Sequence, residues 1–178
     1  MPFAYYTRLT PRQKETYRRS DAVAAVSLPD AGALAAAVGA LEAALAADVL
    51  RPTQQASAAL ADGILDRLRL PRLEVKVYTV RPSRTWGELH GLYESAPRGG
   101  QARISLWMRT AQRRRPVAFR TFLRTLLHEV GHHLDYELLR LPDSFHTEGF
   151  YKRESSLFHQ LVGGVEGASP TGPTGPPR

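Results

Sequence analysis

The stretch with the strongest structural signal is Thr125-Leu126-Leu127-His128-Glu129-Val130-Gly131-His132-His133-Leu134-Asp135. Apolar residues recur through and before it at intervals of three and four positions, which is typical of one buried face of an amphipathic helix. They are Phe119, Phe122, Leu123, Leu126, Leu127, Val130 and Leu134. The pattern predicts a long helix over residues 116–139, ended by Leu141-Pro142-Asp143-Ser144.

Within this helix, residues 128–132 have the form H-E-x-x-H. Because His128 and His132 are four positions apart, their Cβ atoms should lie about 5–6 Å apart on one face. Two imidazoles at that spacing can reach a single Zn²⁺ at roughly 2.0–2.1 Å. Glu129 is rotated by about 100° around the helix, which suits a general base acting on a zinc-bound water. The motif predicts a zinc-dependent peptidase with one Zn²⁺ per chain, although the same pentapeptide also occurs in helices that bind no metal.

A catalytic zinc ion needs a third protein ligand and an open position. Two candidates follow the helix. His146 lies just before Thr147, which is a good N-cap for the next helix. Glu154 lies on the apolar face of that helix, where an unpaired carboxylate is costly, so it should meet the metal, a ligand histidine N–H or an arginine. The residues alone leave both candidates open.

Other polar residues near the motif have less specific roles. Asp135 continues the ligand face, and we expect it to accept the N–H of a ligand histidine or to fix the following helix. His133 points away from that face and is not a predicted ligand. Tyr136 and Tyr151 could reach a developing oxyanion, although packing is the commoner role of such tyrosines. His90 falls on a predicted strand and is left out of the site.

Residues 1–72 are predicted to form a helical scaffold that belongs to the same domain as the remainder of the chain. Helices are expected from Thr10, from Pro29-Asp30 to Val49, and from an N-cap at Thr53 to just before Pro71. Aromatic residues near the N-terminus are expected to dock the first segment on the core. They are Phe3, Tyr5, Tyr6 and Tyr17.

From residue 73 the period of the sequence pattern becomes that of a strand. Strands are predicted at residues 73–80, 88–94 and 102–108, and the turn Pro97-Arg98-Gly99-Gly100 makes the last two a hairpin. A C-terminal helix carries Phe150, Glu154, Leu157, Phe158 and Leu161 on one face and ends at Gly163-Gly164. The prediction is an α+β fold with a small twisted sheet and a catalytic core at 73–163. Residues 164–178, rich in proline and glycine, are predicted to be disordered.

Composition limits the class of protein and its surroundings. With 178 residues, 43% of them hydrophobic and 23% charged, the chain fits one soluble globular domain. It has no cysteine, so histidine and carboxylate must provide any metal ligands. We expect a cytoplasmic location, because neither a signal peptide nor a membrane-spanning run is visible. We also expect a monomer. The net charge of +7 permits contact with nucleic acid, but an arginine-rich solvated surface explains it equally well.

The order of elements resembles the SprT-like and WLM (Spartan-related) zinc peptidases, from about residue 73 to residue 161. The resemblance is carried by the H-E-x-x-H helix and by His146-Thr147-Glu148-Gly149-Phe150-Tyr151 at the start of the next helix. It implies a zincin-like fold, hydrolysis of a peptide or protein substrate, Glu129 as the base, and His128, His132 and His146 as the zinc ligands. The cysteine zinc ribbon of many Spartan-related proteins is absent, so repair of DNA–protein crosslinks is not implied. Glu154 as third ligand would instead resemble the gluzincin or lethal-factor-like arrangement.

The expected substrate is an extended peptide that pairs with the edge strand of the sheet and presents a carbonyl group to zinc. Two other functions are consistent with the residues. One is a zinc-dependent regulatory module that binds peptide without cutting it. The other is a basic nucleic-acid-associated protein in which the motif is only structural.

Overall fold

A computed structural model describes residues 3–84, 87–88, 90–96, 100–111 and 115–163, which adopt an α+β fold. The helices are α1 (Pro11–Asp21), α2 (Ala35–Ala46), α3 (Leu50–Arg67), α4 (Phe119–Glu137) and α5 (Glu148–Val162). The strands are β1 (Glu74–Val80), β2 (Ser83–Arg84), β3 (Gly87–Glu88), β4 (Gly91–Glu94) and β5 (Arg103–Arg109). Short 3₁₀ helices at Ala4–Arg8 and Ala31–Leu34 precede α1 and α2.

Two helices begin where the capping residues predict. Thr10 forms a capping box with Gln13 at the start of α1, with Pro11 in the first helical position. Thr147 accepts a hydrogen bond from the Phe150 N–H at the start of α5. Because Thr147 is the N-cap, the residue before it, His146, lies in the connection between α4 and α5.

The main sheet has the order β1-β5-β4, with β5 in the centre. β5 pairs in parallel with β1, for example Val75 with Ile104, and antiparallel with β4, for example Gly91 with Leu106. The antiparallel pairing confirms the predicted hairpin, although its turn residues 97–99 lie outside the described part of the chain. Helices α3 and α4 pack against the sheet and against each other. The buried apolar residues form one cluster that extends from Val26 to Leu161, so the scaffold and the core share a single interior.

The position of α4 brings the H-E-x-x-H motif to one edge of this sheet. α4 contacts both β5 and β4, and β4 is paired only with β5 among the described residues. The apolar face of α4 is buried in the core, and Leu123, Leu126, Leu127, Val130 and Leu134 are each 0% exposed. The opposite side of the helix carries His128 and His132, which lie beside β4, the edge strand of the described sheet.

The third helix begins earlier than the sequence predicts, so the assignment of Thr53 as its N-cap is wrong. α3 starts at Leu50, and Pro52 lies in its first turn. A backbone N–H in the first turn has no acceptor within the helix, so proline, which lacks this N–H, costs no hydrogen bond there. Thr53 is instead buried inside the helix, and its hydroxyl donates to the carbonyl of Val49. Pro52 therefore belongs to the start of this helix and does not end the preceding one.

The strand predicted at residues 88–94 is two shorter strands. β3 pairs with β2 in a separate two-stranded sheet, whereas β4 pairs with β5. Alternation of polar and apolar residues shows that a segment is extended but not which strand it pairs with. The predicted disorder at 164–178 falls outside the described residues. Among those described, no helix is long and apolar enough to span a membrane.

Candidate metal centre

Three histidine side chains meet beside the edge strand. The Nε2 atom of His146 lies 3.0 Å from Nε2 of His128 and 3.1 Å from Nε2 of His132. Two nitrogen ligands on one tetrahedral zinc ion, each roughly 2.0–2.1 Å from it, would lie about 3.3 Å apart. The three rings therefore already have nearly the spacing that one metal ion requires. Among the described residues, these three form the group of histidine and acidic residues that could hold a metal ion.

The partners of the Nδ1 atoms determine which ring nitrogens carry protons. The Nδ1 of His128 lies 3.1 Å from a carboxylate oxygen of Glu154, which can only accept, so Nδ1 carries the proton. The Nδ1 of His132 lies 2.7 Å from the hydroxyl of Ser144. Because that hydroxyl donates its own proton to Asp135 at 2.7 Å, it must accept from His132. Both rings consequently present an Nε2 lone pair to the site.

This proton arrangement fits a bound cation. If the Nε2 of His146 carries a proton, it can donate to only one of the two facing lone pairs, and if it does not, three lone pairs converge. Burial, with smaller electrostatic contributions from the neighbouring His128 and His146, lowers the pKa of His132 to about 3. Desolvation by the surrounding rings also lowers the pKa of His146. Neutral imidazole is the form that binds metal, so the donor set suits a divalent ion such as Zn²⁺.

The two candidates for the third ligand occupy different places. His146 completes the triad, whereas Glu154 lies on the Nδ1 side of His128, away from the converging Nε2 atoms. Glu154 also accepts a hydrogen bond from Arg124 at 3.3 Å. It thus meets a ligand histidine N–H and an arginine, two of the three partners expected for it. Glu154 fixes the orientation of His128 from behind.

The aromatic ring of Phe150 forms an apolar floor beneath the triad. It is 1% exposed, and its centroid lies 5.0, 4.9 and 5.3 Å from those of His128, His132 and His146. A Cβ added at Gly131 would lie 3.0 Å from the Phe150 ring. The glycine inside the H-E-x-x-H motif therefore lets this ring approach the face of α4 that carries His128 and His132.

The carboxylate of Glu129 lies between α4 and β4. The residue is only 6% exposed, and burial raises its pKa to about 7 against the opposing effects of His128 and of a hydrogen bond from the Tyr93 backbone amide. The side chain packs directly against Gly91, where an added Cβ would collide with the carboxylate. A carboxyl group with a pKa close to neutral pH can both accept and return a proton.

Two cavities meet at the triad. The larger has a volume of about 520 Å³ and the smaller about 290 Å³. Gly91, His128, Glu129 and His146 line both of them. The larger cavity extends along the N-terminal half of α4 past Thr121, Arg124 and Thr125 to Tyr151 and Glu154, and His90 also lines it. The smaller extends toward the C-terminal end of α4, past Tyr93, His132, Tyr136 and Ser144.

Several residues around the triad have roles that the sequence patterns do not indicate. The predicted support from Asp135 reaches His132 indirectly, through Ser144, and Asp135 also forms an ion pair with Arg153 of α5. His133 is not part of the triad; it bonds the carbonyl of Pro71 at 2.8 Å and the hydroxyl of Tyr93 at 3.1 Å. Among the residues around the triad that the sequence patterns do not indicate, only Gly91 has a recognisable sequence feature, because a glycine inside a strand often marks a place where another group packs close to the backbone.

Comparisons with family models, with curated proteins and with solved structures give no match for this chain. Its function must therefore be inferred from the geometry and chemistry of the site.

Proposed function

We propose that this chain is a zincin-like, zinc-dependent metallopeptidase that hydrolyses internal peptide bonds. The observation that carries the proposal is the position of the Glu129 carboxylate. This carboxylate lies one residue from the first histidine of a converging triad and accepts a hydrogen bond from the Tyr93 amide of β4, the edge strand of the described sheet. A metal site that served only to hold the fold together would have four protein ligands and no open position.

The zinc ion would be held by the Nε2 atoms of His128, His132 and His146. When bound, it supplies Lewis acidity, which polarises a peptide carbonyl and makes water acidic enough to react near neutral pH. Glu129 takes the proton from the attacking water and returns it to the departing amine nitrogen. Glu154 and Ser144 keep the rings of His128 and His132 oriented while these charges change.

The two cavities support a substrate that continues on both sides of the cleaved bond. One runs toward each end of α4, and both meet at Glu129. Apart from the Tyr93 amide, which bonds Glu129, the outward edge of β4 can pair with an extended peptide, whose side chains would enter the cavities. A site closed at one end would instead suit removal of single terminal residues.

Metal content in the purified protein tests the ligand assignment. We expect near one zinc per chain in the wild type and in Glu154→Ala, and little zinc in His128→Ala and His146→Ala. His159→Ala is the matched control, because His159 is an exposed histidine on α5 outside the triad. Loss of zinc from Glu154→Ala with zinc retained in His146→Ala would reverse the assignment of the third ligand.

Cleavage of a proteome-derived peptide library, detected by mass spectrometry, tests the activity. We expect the zinc-loaded wild type to generate new peptide termini and Glu129→Gln, with unchanged zinc content, to generate none. Equal cleavage by Glu129→Gln would show that Glu129 is not the base. A wild type that binds library peptides without cutting any would identify a zinc-dependent binding module instead.

A further inference from the structure

The third histidine of the triad lies in the connection between α4 and α5, outside any regular element. His146 is exposed, and no helix or strand hydrogen bond fixes its position. Ligand geometry must be held to within about 0.5 Å for a metal site to function. Contacts from elsewhere in the chain therefore have to hold this residue.

The contact on the His146 backbone comes from the beginning of the chain. The hydroxyl of Tyr5 donates a hydrogen bond of 2.7 Å to the carbonyl oxygen of His146, across 141 positions of sequence. Tyr5 lies in the 3₁₀ helix Ala4–Arg8, which has no buried residues of its own. The aromatic rings around Tyr5 hold it against the connection between α4 and α5, which carries His146.

Those rings connect the N-terminal segment, defined here as residues 3–21, to both sides of His146. Tyr17, which is 2% exposed, contacts the ring of Tyr5 and that of Phe145, the residue before His146. The ring of Phe3 stacks with Tyr5 and meets Tyr151 edge-on. Each aromatic pair adds a favourable interaction beyond the burial of its rings.

Polar contacts join the same segment to the start of α5. Asp21 accepts a hydrogen bond of 2.8 Å from the Gly149 N–H, and a Cβ added at Gly149 would collide with the Asp21 backbone. The Ser20 hydroxyl lies 3.4 Å from that of Thr147, the N-cap of α5. The N-terminal segment thus contacts the chain immediately before and after His146.

We propose that the N-terminal segment is a positioning element of the metal site, and that the Tyr5 hydroxyl holds His146 where its ring reaches the metal. The inference rests on the proposed function, because it requires the triad to bind zinc. Tyr5 is a positioning residue and not a catalytic one, since it bonds the ligand's carbonyl and not its ring. Partners of a ligand side chain typically change metal affinity by about 10–100-fold when they are removed, and we expect a partner of the ligand's backbone to act at the lower end of that range.

Tyr5→Phe tests this with a minimal change, because the ring and its stacking stay while the hydroxyl is lost. Tyr6→Phe is the matched control. Tyr6 belongs to the same 3₁₀ helix, and its ring packs against Tyr17 on the side of Lys14. Zinc affinity would be measured by competition with a chromophoric chelator, the metal geometry from the visible absorption of the Co²⁺-loaded protein, and the fold from thermal unfolding of the metal-free protein.

We expect Tyr5→Phe to weaken zinc binding about 10-fold and to alter the Co²⁺ spectrum, with the melting temperature of the metal-free protein unchanged. Tyr6→Phe should match the wild type in all three measurements. Wild-type affinity and spectrum in Tyr5→Phe would overturn the inference, and so would equal weakening by Tyr6→Phe. A wild type that takes up neither Zn²⁺ nor Co²⁺ would overturn the proposed function itself, so the two failures are distinguishable.

Discussion

At Gly91, an added methyl group should disturb Glu129, the proposed general base, without disturbing the three histidines. Gly91 is the first residue of β4, and the carboxylate of Glu129 lies against its Cα. Gly91 is not one of the triad residues, and its partner Glu129 is not a predicted ligand. A side chain here would therefore displace Glu129, the proposed general base, without displacing a histidine of the triad.

Gly91→Ala should reduce peptide hydrolysis by about 100-fold while zinc content stays near that of the wild type, because a displacement of roughly 1 Å of a catalytic group costs about that much. The measurement is kcat/KM on a peptide that the wild type cleaves, with metal content determined on the same samples. Gly39→Ala is the control, since nothing lies within 4 Å of a Cβ added there. Full activity in Gly91→Ala would mean that Glu129 has room to move and that its position is not set by β4.

At this scale the sequence predicts groups on a single helix better than groups brought together by the fold. His128, Glu129 and His132 follow from helix geometry alone, because their separation is fixed along one element. The choice between His146 and Glu154 could not be made that way, since it depends on how the chain turns after α4. Tyr5 and Ser144 bear no local pattern that relates them to the site.

Helices α4 and α5 are joined by a buried ion pair. Arg153 donates to Asp135 at 2.6 Å, and the two side chains are 1% and 0% exposed. The same guanidinium donates to the backbone carbonyls of Ser20 and Val23 and to the Ser20 hydroxyl. One arginine thus connects α4, α5 and the end of the N-terminal segment, and removing it would leave the Asp135 carboxylate buried without its charge partner.

Arg153→Met should lower the free energy of unfolding by about 3–5 kcal/mol, the usual cost of an uncompensated buried charge. Urea unfolding in the presence of a chelator measures it without a contribution from zinc. The control is Arg18→Met, which removes a solvent-exposed ion pair with Glu15 and should change stability much less, because solvent screens such a pair. Adding Asp135→Leu to Arg153→Met should recover part of the loss. A loss of stability in Arg153→Met no larger than that in Arg18→Met would show that the ion pair of Arg153 with Asp135 does not stabilise the packing of α4 against α5.

Helix ends marked by a local capping residue were predictable from the sequence. The pairing partners of the strands, apart from the hairpin of β4 with β5, were not. Thr10 and Thr147 cap their helices through local hydrogen bonds, so their positions can be read along the chain. The start of α3 could not, because Pro52 is compatible both with the end of one helix and with the first turn of the next. The parallel pairing of β1 with β5 likewise depends on the intervening chain, which local patterns do not describe.

At the scale of the whole molecule, the triad is a junction between parts of the chain that are distant in sequence. His128 and His132 belong to α4, and His146 belongs to the connection that the N-terminal segment contacts. Without a cation, at least one Nε2 lone pair among the three lacks a donor. A bound metal ion would therefore link α4 to that connection and relieve an unfavourable arrangement of polar atoms.

Zinc should accordingly raise the melting temperature of the whole domain. An ion that binds the folded chain alone, at a free concentration about 1,000 times its dissociation constant, adds about 4.1 kcal/mol. For a domain of this size each kcal/mol corresponds to roughly 2–4 °C, so we expect a rise on the order of 10 °C. Thermal unfolding with a chelator and after zinc is restored measures it, and His146→Ala should lose the shift that His159→Ala keeps. Equal melting temperatures in both conditions would mean that zinc does not bind the folded chain in preference to the unfolded one, and that the three rings keep their places without a metal.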